Sequence, residues 1–109
     1  MATTRKVLGQ SAPAAATNTN LYTVPAATST VCSTLVVANR GADAATFRVA
    51  VRPGGATLAN QHYLYYGVQL QTGDSFAATI GVTLAATDVV TVWASTADCS
   101  VSLFGEETA

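Results

Sequence analysis

The stretch Ala45-Thr46-Phe47-Arg48-Val49-Ala50-Val51-Arg52 decides how the rest of the chain is read. Phe47, Val49 and Val51 fall on one side of an extended backbone, and Thr46, Arg48, Ala50 and Arg52 fall on the other. That period of two marks a half-buried β-strand with its Phe47 face toward a core. Pro53-Gly54-Gly55 then ends it with a turn.

Working outward, similar short runs recur between turn signals. Leu21 to Val24 stops at Pro25, and Thr30 to Asn39 stops at Asn39-Arg40-Gly41. Tyr63 to Leu70, Ser75 to Ile80, Val89 to Ser95 and Cys99 to Phe104 follow, the last three each opened by an Asp-containing turn. In Val31 to Val37 the alternation groups Val31, Leu35 and Val37, with Ser33 among them, against Cys32, Thr34, Val36 and Ala38. Val89 to Ala94 is apolar on both sides, so Val90 and Val92 can face the core while Val89 and Trp93 face out. The opposite register, with Trp93 as the largest core residue, fits the same pattern. Residues 56–62 are too short for a helix that covers a sheet, and a loop with a helical turn is expected there.

This spacing predicts an all-β fold: a single antiparallel β-sandwich, jelly-roll-like, of about seven to eight strands over residues 21–109. Residues 1–20 read differently. Arg5 to Gln10 can pair as a short strand, but Ser11 to Asn20 has no periodicity, so an extended N-terminal arm or linker is expected. Its apolar and cationic residues, Arg5, Lys6, Val7 and Leu8, are candidates for docking on a neighbour.

Charge is scarce. Only 10% of the 109 residues are charged, against roughly a quarter in an average soluble domain. The five cations face six acids for a net charge of −1, which argues against a basic nucleic-acid surface. Hydrophobic residues make up 50% of the chain, which excludes compositional disorder. No run reaches a membrane span, and the start lacks the apolar segment of a secretory signal. A surface of Ala, Thr and Ser is inexpensive to desolvate, as suits a subunit covered by neighbours in an assembly.

Catalytic and metal chemistry can be taken by inventory. His62 is the only histidine, and Cys32 and Cys99 lie far apart in sequence. No zinc ligand set and no local nucleophile signature results, so no enzyme activity, metal or cofactor is expected. Asp43, Asp74, Asp88 and Asp98 sit in turns, where Asp bonds its own backbone. Strand phase sets Cys32 and Cys99 on different sides, predicting two free thiols, one buried and one outward. The cluster His62-Tyr63-Leu64-Tyr65-Tyr66 stands out; alternation puts Tyr63 and Tyr65 on one side, and Leu64 and Tyr66 on the other. Candidate interface residues are therefore Arg48, Arg52, Tyr63, Tyr65 and Trp93.

The stretches LYTVPAATSTVCSTLVVANRG (21–41), ATFRVAVRPGG (45–55), ANQHYLYYGV (59–68), ATIGVTLAATDVVTVWAS (78–95) and VSLFGEE (101–107) together resemble small virion structural proteins of tailed bacteriophages. The resemblance implies a non-enzymatic β-rich particle component, assembled in the bacterial host cytoplasm and located in the virion. A head decoration or cement protein, trimeric and bound to the major capsid protein, is the leading expectation. A neck, tail, baseplate or fibre-associated subunit is the alternative within the particle. A carbohydrate-binding module using Tyr63, Tyr65 and Trp93 with Arg48 or Arg52 is the alternative of another class.

Overall fold

The structure, a computed structural model, describes residues 2–109. Eight strands form: β1 (Thr3–Ser11), β2 (Thr19–Thr23), β3 (Ser29–Asn39), β4 (Ala45–Arg52), β5 (Tyr63–Leu70), β6 (Ser75–Leu84), β7 (Val89–Ala94) and β8 (Cys99–Thr108). Among the described residues there is no α-helix, only single 3-10 turns at Pro53–Gly55 and Asn60–His62. The strands make two antiparallel four-stranded sheets, ordered β1-β8-β3-β6 and β2-β7-β4-β5. The first, with strands of 9 to 11 residues, is the long sheet; the second, with strands of 5 to 8, is the short sheet. The pairings β1–β8, β2–β7, β3–β6 and β4–β5 nest like one long hairpin rolled over itself.

The core lies where the inner faces meet. Leu35, Val37, Val101 and Leu103 of the long sheet oppose Phe47, Val49, Val90 and Val92 of the short one, all essentially without solvent contact. Phe47 packs at 5.3 Å from Phe76 and 6.4 Å from Tyr65, centroid to centroid, in tilted geometry. Each end of the sandwich is closed by polar staples. At one end the buried Asn39 amide donates to the carbonyls of Asp43, Leu70 and Gln71, while its oxygen accepts from the Gly41 amide. At the other, the Asp88 carboxylate accepts from the amides of Gly54 and Ala85. Buried backbone groups at the turns thereby find partners.

Three expectations take a different form. First, residues 3–11 are β1, an edge strand paired with β8 from Thr3–Thr108 to Ser11–Val101, rather than an arm extending from the sandwich. Met1 lies outside the described residues. The connection to β2 follows the short sheet, with Pro13 buried and Ala15 bridging Ala94. Of the β1 side chains only Leu8 packs against the core, so the strand carries no apolar alternation to read. Second, β3 carries one extra residue, Ser33, against β8, and the register against β6 shifts at the same place, where Ile80 and Gly81 lie across from Ser33. An extra residue in a strand inverts the side-chain phase beyond it. Hence Thr30 and Cys32 point inward with Leu35 and Val37, and Val31 points out. Third, Cys32 and Cys99 are both free and both buried, so neither faces solvent. Burial pushes the Cys32 thiol up to about 11.

The long strands of the first sheet extend past the second. A side chain on Gly105 in this region would collide with the Val31 carbonyl oxygen of the neighbouring strand, which explains a glycine in the middle of β8. Beneath the overhang the Tyr22 hydroxyl donates to Glu107, which also accepts from Lys6 at 3.1 Å. Burial, then the adjacent carboxylate, raises the Tyr22 phenol to about 12. Glu107 is held below its ordinary value chiefly by the Tyr22 hydrogen bond and, after that, by Lys6, with partial burial opposing.

Candidate functional site

The outer face of the short sheet is built by cross-strand register. β4 places Thr46, Arg48, Ala50 and Arg52, and β7 places Val89, Thr91 and Trp93, on the side away from Val90, Val92 and Ala94 of the core. Ala50, Val89 and Thr91 are nevertheless buried there, so Arg48, Trp93 and their β5 neighbours form the accessible part. Arg48 is opposite Trp93 on one side and Tyr66 on the other. Its guanidinium carbon lies 3.9 Å from the centroid of the Trp93 ring and 4.3 Å from that of Tyr66. Tyr63 meets Tyr66 edge to face at 4.9 Å. A continuous row, Trp93–Arg48–Tyr66–Tyr63, thus crosses three strands.

Two bulges in β5 create this row. The pairing with β4 slips between Phe47 and Arg48 and again between Val49 and Ala50, leaving Gly67 and Leu64 without partners. Gly67 has φ +71°, a left-handed conformation that glycine adopts without a Cβ penalty. The two slips bring Tyr63 and Tyr66 to the outer face and send Tyr65 inward against Phe47 and Phe76. Of the five expected interface residues, Arg48, Arg52, Tyr63 and Trp93 therefore share one face, and Tyr65 does not. Tyr66, 63% exposed, takes its place. Simple alternation misses it; Gly67 directly after a tyrosine run was the available signal for a bulge.

The electrostatics of this face are one-sided. Neither Asp nor Glu occurs in β2, β4, β5 or β7. Arg52 is satisfied entirely by neutral acceptors: Thr91 Oγ1 at 3.0 Å, the carbonyls of Gly55 and Ala56 at 3.1 and 3.0 Å, and Asn20 Oδ1 at 2.8 Å. Arg48 is held by ring faces instead, and its Nε is buried with no hydrogen-bond partner. The two ion pairs among the described residues both join β1 to β8. A cation–π contact contributes about 0.5–1 kcal/mol, whereas an unpaired buried donor costs about 1–3 kcal/mol. Arg48 is thus close to neutral for stability.

The outer face of the long sheet is different. Most of it carries Thr34, Ala77, Thr79, Ser100 and Ser102. Toward the overhang a groove of about 610 Å³ opens among Val7, Val31, Ser33, Phe104 and the Arg5–Glu106 pair at 3.5 Å. The residues expected to dock on a neighbour are thus engaged in their own sheet: Arg5 and Lys6 pair with Glu106 and Glu107, and Leu8 lies inside, while Val7 is half exposed.

His62 is used locally, its Nδ1 accepting from the Ala59 amide at 3.1 Å to close a 3-10 turn. Among the described residues no group of three or more His, Cys, Asp or Glu could hold a metal ion. The chain matches no known protein family and no curated protein in sequence.

Proposed function

We propose that the chain is a non-enzymatic structural subunit of a bacteriophage virion, a decoration protein that binds the major capsid protein as a trimer and stabilises the particle through subunit contacts. The observation that carries the reading is the strand order. The order β1-β8-β3-β6 facing β2-β7-β4-β5 supports a jelly-roll reading of the sandwich, an architecture recurrent in viral capsid domains. A fold is shared by many functions, so the chemistry of the surface must agree with it. It does in two respects: the outer faces carry few charges to desolvate, and the short sheet offers large rigid side chains typical of interface anchors. Burial on the order of 800 Å² per subunit makes a specific contact, and repetition over a particle adds avidity.

A neck or tail position would use the same surfaces. The carbohydrate-binding reading keeps Trp93 and Tyr66 on one face, but one face of each ring is already covered by Arg48 and Tyr65 is inside. Mass spectrometry of density-gradient-purified particles of the phage that encodes the chain tests the proposal. The chain should be present in many copies per particle. Its confinement to the soluble fraction of the lysate would overturn the reading.

A further inference from the structure

The geometry points to Arg48 as the anchor of a docking site for an acidic segment of a partner protein on the outer face of the short sheet. This deepens the assembly reading above by naming the surface and the chemistry of its partner.

Three observations converge. Arg48 is gripped at 3.9 and 4.3 Å by two ring faces, so its fork is fixed in direction before any partner arrives. An arginine held in this way loses little further conformational freedom on binding, and its planar donors match a carboxylate bidentately. Among the described residues the guanidinium also has no counter-charge: Nε is buried and unpartnered, leaving the terminal nitrogens to meet a carboxylate, no ion pair engages them, and the strands of the sheet hold no acid. Finally, the rings direct their electron-rich faces at the guanidinium. The ring faces turned to Arg48 are thereby closed to a stacking ligand, and the guanidinium between them supplies a positive charge at the centre of the row. With Arg52 on the same strand face, the surface selects an anion rather than the apolar face of a sugar. A cleft beside it, lined by Thr46, Gln69 and Ser95, gives room for the neighbouring residues of the incoming chain.

Trp93 is the only tryptophan, so its emission reports on this site alone. The full chain is titrated at low salt with a hexaglutamate peptide, with hexaglutamine and with an oligogalacturonate. A saturable change in Trp93 emission with hexaglutamate, about tenfold tighter than with hexaglutamine and weakened by added salt, is expected. Arg48→Gln and Arg48→Lys, each checked for a native melting transition, should both lose at least most of that tenfold preference, because Lys keeps the charge but not the fork. Arg5→Gln on the long sheet should leave it unchanged. No saturable response to hexaglutamate, or an unaltered response in Arg48→Lys, would overturn the site. Tighter binding of oligogalacturonate than of hexaglutamate would overturn the assignment to a protein partner. The titration is independent of particle incorporation: presence in virions without a hexaglutamate response removes this site and leaves the assembly reading, and the converse removes only the latter.

Discussion

On the long sheet most outward side chains are small or polar, Thr34, Ala77, Thr79, Ser100 and Ser102, with an apolar groove of Val7, Val31 and Phe104 toward the overhang, and the ionic groups, Arg5 with Glu106 and Lys6 with Glu107, are paired within the chain. On the short sheet they are Trp93, Arg48, Tyr66 and Tyr63, and the arginines meet no carboxylate. The same scarcity of charge has therefore been distributed in two ways. The long sheet spends its ion pairs on holding an edge strand; the short sheet leaves a fixed, desolvated cation outward. Side chains that stabilise the chain are satisfied inside it, and those that are not mark where something else can bind.

The largest test of this contrast removes β1. Deletion of residues 1–20 strips the long sheet of its edge and takes the first two residues of β2. A destabilisation on the order of 5 kcal/mol, comparable with the whole stability of a small domain, is expected. Circular dichroism should then show no cooperative melting. A truncated chain that melts like the full one would restore the arm.

Asn39 comes next, because its amide joins the end of β3 to the loops around Asp43 and Gln71. Asn39→Ala leaves buried carbonyls unpaired and should cost about 2–3 kcal/mol in urea denaturation.

Smaller, and diagnostic of the overhang, is the acid response of Glu107. Its folded-state value lies below the ordinary 4.5, so its contribution is complete above that pH and is lost as pH falls through the folded value. The urea midpoint should decline on acidification below about pH 4.5, and Tyr22→Phe, which removes the hydrogen bond, should flatten the decline. An unchanged acid slope in Tyr22→Phe would show that Tyr22 does not hold Glu107.

Smallest of all is Arg48→Met. Two cation–π contacts are offset by an orphaned buried donor, so stability should change by less than about 1 kcal/mol. A loss of several kcal/mol would make Arg48 a structural residue and weaken the contrast between the faces.

Much of this architecture was legible because period-two alternation survives in β4 and β8, where Phe47 and Leu103 lie on the expected inner side, while in β7, apolar on both sides, the structure chooses the register with Val92 inward. The turn roles of Asp74 and Asp88 also follow from local chemistry, whereas the order of strands in the sheets rests on pairings between distant segments. What failed did so at bulges. One extra residue at Ser33 reverses the phase of Cys32, and two in β5 exchange Tyr65 for Tyr66. A bulge leaves no mark in hydrophobic pattern except an interrupted alternation, and chemically the irregularities are marked only by Gly67 in β5 and Gly81 in β6, both at positive φ. β1 was missed as an integral strand for another reason: an edge strand that contributes Leu8 alone to the core needs no apolar face.

The most direct measurement is a density map of the intact particle at side-chain resolution. The account requires this chain in symmetric copies with the Trp93–Arg48–Tyr66 row against a neighbouring protein and an Asp or Glu of that neighbour on the Arg48 fork. A map in which that row faces solvent while the long sheet makes the contacts would contradict it.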